Sequence, residues 1–488
     1  MAMMLITMAR PPAWSASVVV DADPATPVRD IVKSALDRLD PGQAPPGGLA
    51  ATAVFLADRQ LDLAQPLAIS GIHDGAVLWL GRPGPAARPQ VGLVTVRAVA
   101  GAGAGQVWTL GAGEHRIGSG ARCRIPVGDD QPAVVAVVRV FLDAAVGLRA
   151  VAGSAVLNRA PLADTEVAWP PTVPLRVGGT VFEAHPVSCP DAVVEPSTDG
   201  EYLDYNRPPR LLPPARRTEF RIPPQPAPPN PTALPWLTAA LPAVFGGVFA
   251  AVTHNAMFLM MAAMSPVMMI GSWYTGRRQG RLGHRWRLAE HRAQVDHVSA
   301  EIAAALDLEC LDRRTASPDP AELLLVATGP LARVWERRRS DPDHLLVRFG
   351  PARQPAWLTV EEGDGTQRRH EPRQARDVPA ALSIAQAGVV GLAGRDQWPR
   401  RVARWLVGQL AVLQSPRDVQ VYVLTDPAGE ALWEWAVWLP HVRPLLGQQT
   451  LALVGADAET LGRRVAELVE LISARQRARL NASASALF

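Results

Sequence analysis

Between Arg221 and Arg277 the chain carries no Asp, Glu, Lys or Arg, and that gap constrains the fold more than any other feature of the sequence. An apolar run of this length exceeds what a soluble domain of this composition needs to bury. Within it, LPWLTAALPAVFGGVFAAV (234–252) and AMFLMMAAMSPVMMIGSWY (256–274) each have about the twenty residues that cross a hydrocarbon core. Thr253, His254 and Asn255 make a polar turn between them. Pro235 and Pro242 lie near the start of the first segment, and Pro266 interrupts the second, where neighbouring helices can satisfy the freed carbonyls. Arg207, Arg210, Arg216, Arg217 and Arg221 precede the run, and Arg277, Arg278 and Arg281 open the segment after it. The positive-inside rule therefore predicts a two-helix transmembrane hairpin over 234–274, multi-pass in the cell membrane, with both termini cytoplasmic and the lipid bilayer as a partner.

At 488 residues the chain is too long for one compact core, so several domains are expected. Lys33 is the single lysine, arginine supplies the other basic side chains apart from histidine, and the formal net charge is only +3. That balance does not by itself point to nucleic acid. Cys123, Cys189 and Cys310 are far apart, with no CxxC pair and no histidine at ligand spacing. Their placement speaks against a disulfide framework or a metal site and for buried thiols in a reducing compartment. The N-terminal MAMMLITMARPPAW lacks a basic n-region and a continuous apolar core, so no signal peptide is expected.

Residues 1–85 read as a small α/β unit: a strand in WSASVVVDAD, a helix over Thr26–Leu39 with Thr26 as N-cap and Pro27 at N1, then short strands and turns. The phrase ADRQLDLAQPLAISGIHDGAVLWLG resembles the ubiquitin-like β-grasp of YukD-like modules. Residues 91–187 hold short strands at close spacing with glycine turns, which predicts a β-sandwich and resembles a forkhead-associated (FHA) domain. Residues 190–233 are proline-rich and read as a semi-rigid linker. After the apolar run, residues 275–320 suit a helical stalk with Val295, Val298, Ile302 and Leu306 on its apolar face. Residues 321–488 alternate strands and helices, as an α/β domain does. The expected fold class is thus a multidomain α+β membrane protein built of a β-grasp-like domain, an FHA-like β-sandwich, a transmembrane hairpin and a cytoplasmic α/β domain.

The candidate chemistry is sparse. Gly388-Val-Val-Gly-Leu-Ala-Gly394 occupies the place of a phosphate cradle between strand and helix, but Arg395, Asp396 and Gln397 follow where a Walker loop needs Lys and Ser or Thr. A tight strand-to-helix turn is the expectation there, with no catalytic or nucleotide-binding residues in this chain. In the FHA pattern an arginine follows Ile-Gly, whereas Ile117-Gly118 is followed here by Ser119. Asn158 matches the family's Asn-Gly position, but Arg159 replaces the glycine. The FHA-like fold is expected with phosphopeptide reading lost or altered, leaving Ser119, Arg122 and Asn158 as the peptide-facing candidates and Arg116, Arg122 or Arg124 as replacement charges. The arginine run in WERRRSDPDHLLVRFG reads as solvated and partly neutralised by Asp341 and Asp343, and His344 as structural.

Taken in order, the FHA-like segment, YLDYNRPPRLLPP, MAAMSPVMMIGSWYTGRR, VWERRRSDPDHLLVRFG, GVVGLAGRDQWPRRVARWLVGQLAVLQSPRDVQVYVLT and LWEWAVWLPHVRP resemble the N-terminal half of an FtsK/SpoIIIE-family membrane ATPase of the EccC/EssC, type VII secretion type. The resemblance implies a membrane-anchoring and regulatory role in protein secretion, with the DNA-translocating branch of the family as one rival and a stand-alone FHA-type phosphopeptide-binding membrane adaptor as the other. Its partners would be the membrane subunits of the secretion machinery and an FtsK/SpoIIIE motor in cis or in trans, in a homo-hexamer; nucleic acid is not expected to bind this portion. ATP and magnesium would belong to motor modules that follow the region seen here, and the chain departs from the family pattern by ending at Phe488 before any of them.

Overall fold

The computed structural model describes residues 2–10, 14–38, 52–84, 92–198, 202–210, 216, 218–228, 236–253, 257–329, 331–362, 369–395, 397–445, 448 and 450–485. The chain divides into two compact units, one of residues 1–211, 317–350 and 380–488, the other of residues 212–316 and 351–379.

In the first unit, β1 (Ala2–Arg10), β2 (Trp14–Ala22), β3 (Val54–Leu56), β4 (Arg59–Gln60) and β5 (Val77–Leu80) form one sheet in the order β2-β1-β5-β3-β4. The first and last strands run parallel, which is the pairing of a β-grasp. Met4, Ile6 and Met8 alternate onto the face covered by helix α1 (Val28–Asp37), whose Val28, Ile31, Val32, Ala35 and Leu36 recur at helical spacing. The N-cap of α1 is Pro27, with no side-chain hydrogen bond, so Thr26 does not cap the helix. A one-turn helix α2 (Leu67–Ser70) precedes β5.

The sandwich follows in two sheets. One contains β8 (Gly113–Gly118), β9 (Ile125–Pro126), β10 (Ala136–Val140), β11 (Val146–Ala150) and β14 (Val167–Ala168). The other contains β6 (Val94–Ala100), β7 (Val107–Leu110), β12 (Ala155–Leu157), β13 (Ala160–Pro161), β15 (Leu175–Val177) and β16 (Thr180–Pro186). Val96, Leu110, Leu175 and Phe182 of one sheet meet Ile117, Val138 and Leu148 of the other in a shared core. Strands β17 (Val194–Pro196) and β18 (Leu203–Tyr205) then form an antiparallel pair.

In the second unit, β19 (Glu219–Ile222) leads to helices α3 (Trp236–Thr253) and α4 (Met257–Ala316). Val298, Ile302 and Leu306 of α4 pack with Phe220, Leu358 and Val360, so three of the four expected apolar stalk positions lie in a core. The membrane expectation is corrected here. Among the described residues no helix is long and apolar enough to cross a membrane. Helix α3 has 18 residues and so rises about 27 Å, short of the roughly 30 Å hydrocarbon core. The second apolar stretch does not stand alone: it opens a 60-residue helix that carries Arg277, Arg278 and Arg281. The transmembrane hairpin, the membrane fold class, the multi-pass localisation with both termini cytoplasmic and the anchoring of the chain in a bilayer are therefore withdrawn. Absence of charge says nothing of how far one apolar helix extends. His254 and Asn255 of the expected polar turn lie outside the described residues.

The α/β part of the first unit begins with α5 (Pro320–Thr328), N-capped by Asp319, which accepts from the N–H groups of Ala321 and Glu322. Strands β20 (Leu346–Glu362) and β21 (Arg369–Ser383) cross from one unit to the other. Helices α6 (Ile384–Ala387) and α7 (Trp398–Leu413) follow, then β22 (Val423–Leu424), α8 (Pro427–Trp433), β23 (Val454–Gly455) and α9 (Ala458–Ser485). The strands β22 and β23 pair in parallel.

The turn joining β12 to β13 consists of Asn158 (φ 43°) and Arg159 (φ 74°), both left-handed as a two-residue hairpin of the I′ form requires. Asparagine adopts that region readily, whereas arginine does so at a cost. Arg159→Gly is expected to raise the denaturation midpoint of the sandwich by an amount equivalent to about 1 kcal/mol, and Arg159→Val to lower it, as chemical unfolding would measure.

Candidate functional site

The proline-rich segment and the arginine run, more than 120 residues apart, meet within the first unit. Tyr205 at the end of β18 donates from its hydroxyl to the Ala332 carbonyl at 3.1 Å. Arg207 donates to the Trp335 carbonyl at 2.9 Å. Arg210 makes a fork to Asp343, donating to Oδ1 and Oδ2 at 2.7 Å each, and reaches Asp341 at 3.4 Å. Residues 203–210 therefore form a strap laid across the segment 332–343.

The receiving segment is held just as firmly. Arg337, fully buried, lies 3.1 Å from Asp343 and donates to the Leu346 carbonyl. Arg333 pairs with Glu322 of α5 and with Glu336 at 2.8 Å, and Arg339 pairs with Asp418 at 3.2 Å. Trp335 has a left-handed backbone, φ 54°, which costs a non-glycine residue roughly 1–2 kcal/mol. Its N–H and indole Nε1 donate to the Val412 and Ala411 carbonyls at 2.8 and 3.0 Å, and the Tyr205 ring meets it edge-on at 5.7 Å. Within the arginine run, Arg337 is thus part of an internal framework, whereas Arg338 and Arg339 are exposed as expected.

Electrostatics follow from this packing. Burial pushes the Asp343 carboxyl up, but hydrogen bonds from Arg210 and the charges of Arg337 and Arg210 outweigh it and hold the group below its ordinary range. Hydrogen bonding to Asp343 outweighs burial at Arg210 and raises its pKa. Below the strap, His441 is fully buried; its Nε2 lies 2.8 Å from the Gln414 carbonyl, and its Nδ1 has no hydrogen-bond partner among the described residues. Burial outweighs that hydrogen bond and lowers the His441 pKa. His344 lies 3.0 Å from the Gln414 side chain and is placed as a structural residue.

The sequence-predicted residues fall elsewhere. Ser119 donates its hydroxyl to the Gln131 carbonyl at 2.8 Å and its N–H to the Pro132 carbonyl at 3.1 Å, so its side chain is engaged within the sandwich. Arg122, Arg124 and Asn158 are exposed, and no hydrogen bond joins Ser119, Arg122 and Asn158 among the described residues. Arg216 forks onto Asp312, Arg221 lies in β19, Arg277 stacks over Trp273 at 5.1 Å, and Arg278 and Arg281 are exposed on α4. Arg217 lies outside the described residues. Cys189 is exposed, and Cys123 and Cys310 are only half-buried, so the thiols are not the fully buried groups expected.

The glycine-rich loop follows α6 and leaves Val389 90% exposed. A Cβ on Gly394 would meet the Trp398 ring at 2.7 Å, so that glycine admits an indole at the start of α7. A groove of about 630 Å³ opens where β22 and β23 end, lined by Arg400, Thr425, Asp426 and Asp457 among others. Asp426 caps α8 and Asp457 caps α9, placing carboxylates where a phosphate would need free N–H groups.

No family model matches the chain. Its homologues are type VII secretion proteins. It is 26% identical over 209 residues to the ESX-4 secretion system protein EccC4 of Mycobacterium tuberculosis, covering 39% of this chain and 16% of that protein. It is 24% identical over 273 residues to the ESX secretion system protein YukB of Bacillus subtilis, covering 51% of this chain and 18% of that protein. Against the type VII secretion system protein EssC of Staphylococcus aureus the identity is 23% over 276 residues, 52% of this chain and 18% of that one. The matches thus span under a fifth of the length of these relatives. Among solved structures, an FHA domain with phosphothreonine-dependent interactions is similar over 20% of this chain and 99% of that one, at 20% identity and TM-score 0.18. The FhaA FHA domain complexed with the intracellular domain of Rv3910 covers 19% of this chain and 99% of that one, at 19% identity and TM-score 0.17.

Two outcomes test the site. Asp343→Asn leaves two guanidinium groups short of a counter-charge and is expected to cost roughly 3 kcal/mol in chemical denaturation. As for His441, a lowered folded pKa means that the unfolded chain takes up the proton first. Stability should be flat above the ordinary value of 6.5 and fall as pH drops below it, until the folded histidine titrates. His441→Leu should flatten that acid-side fall in pH-dependent unfolding.

Proposed function

We propose that this chain serves a type VII secretion system as a partner-binding, regulatory component that acts by binding and geometry and not by catalysis. The observation that supports this best is that two strings carrying the EccC/EssC resemblance, YLDYNRPPR and VWERRRSDPDHLLVRFG, meet in an arginine–carboxylate junction. On this reading the β-grasp unit and the sandwich offer surfaces to other subunits of the secretion machinery. A motor of the FtsK/SpoIIIE kind, in cis or in trans, supplies ATP and magnesium chemistry, and the assembly is a hexamer. Phosphothreonine reading is secondary here, because Ser119 stands where the family's arginine would be and its hydroxyl is already engaged.

Disruption of the chain in its host is expected to abolish export of small helical proteins while leaving chromosome segregation intact; the reverse outcome would favour a DNA translocase. Calorimetric titration of the purified chain with magnesium-ATP should give no saturable binding, and turnover of ATP would contradict the non-catalytic role.

A further inference from the structure

Ser340 stands on an exposed β-turn inside the junction. The turn closes where Asp341 N–H donates to the Arg338 carbonyl at 3.0 Å and Arg338 N–H donates to Asp341 Oδ2 at 2.9 Å. Neither the Ser340 hydroxyl nor the Arg338 guanidinium has a partner among the described residues. Around the turn, the guanidinium groups of Arg207, Arg210, Arg333, Arg337 and Arg339 pair with the carboxylates of Glu322, Glu336, Asp341, Asp343 and Asp418, while Arg338 has no ion pair among the described residues. Arg338 is the cation left over, and it sits two residues before the free hydroxyl.

We propose that Ser340 is a phosphorylation site for a basophilic serine/threonine protein kinase, and that its phosphate, by giving Arg338 the anion it lacks, tightens the strap 203–210 onto the 332–343 segment. The exposed Arg338 and Arg339 supply the basic determinants that such a kinase reads, and a turn presents the hydroxyl free of helix or strand hydrogen bonds. In the transfer a bond forms between Ser340 Oγ and the γ-phosphorus of ATP, and the bridging bond to the β-phosphate breaks. ADP leaves, and the hydroxyl proton passes to the kinase's general base. The dianion then lies in the same turn as Arg338, and its field adds to that of Asp341 and Asp343 on Arg210. Two other hydroxyls follow arginine pairs: Thr315 is inside the regular helix α4, and Thr218 precedes β19.

The test incubates the full chain with ATP and the catalytic subunit of a cyclic-AMP-dependent protein kinase, which prefers arginine before serine. Peptide mass mapping should place the phosphate on Ser340, with incorporation lost in Ser340→Ala. Amide hydrogen exchange across 203–210 should slow roughly tenfold in the phosphorylated chain, the effect of a new charge-assisted hydrogen bond. The Ser340→Ala chain, treated identically, should show no slowing. Failure of Ser340 to take up phosphate, modification at Thr218 or Thr315 in its place, or unchanged or faster exchange of the strap after modification would overturn the proposal.

Discussion

A guanidinium taken out of water must meet its counter-charge inside the protein, and Arg210 meets it in Asp343. The fork between them, at 2.7 Å on both arms, turns an otherwise irregular proline-rich stretch into a fixed strap. Asp343 also carries Arg337, buried behind it, so one carboxylate serves both the strap and the floor beneath. Truncating either partner strands charge in a site only partly open to water.

The junction explains why Trp335 tolerates a left-handed backbone. Its carbonyl is claimed by Arg207, its N–H and indole by the end of α7, and its ring by Tyr205. Strain of this kind persists only where the surroundings over-determine it. Arg333 extends the same framework to α5 through Glu322, and Arg443 joins the α/β part to Asp74, in the loop before β5, at 3.0 Å. The first unit is thus tied by arginine–carboxylate contacts between segments whose separation in sequence reaches 369 residues.

Periodicity made the local elements legible. Val298, Ile302 and Leu306 recur at helical spacing and are found in a core, and glycine-punctuated strands announced the sandwich. The strand β1 escaped because MAMMLITMAR does not alternate: Leu5 and Ala9 are buried as well as Met4, Ile6 and Met8, so neither face is polar. The uncharged run misled for a related reason. Charge was absent, yet the helices that form there end early or continue into arginine-rich turns. The arginine run could not be read from its neighbours either, since Asp341 and Asp343 account for only part of its pairing; Arg207 and Arg210, which complete the junction, arrive from another region. At the FHA-like end, the Ser119 substitution was visible in the sequence, but the engagement of its hydroxyl by Gln131 was not.

The fork between Arg210 and Asp343 is tested most directly by a double-mutant cycle, comparing the unfolding free energies of Arg210→Ala, Asp343→Ala, the double variant and the parent chain. Direct coupling in a largely buried site should appear as a non-additivity of about 2 kcal/mol or more. Effects that add to within about 0.5 kcal/mol would show that the two side chains act independently and that the strap is not held by this contact.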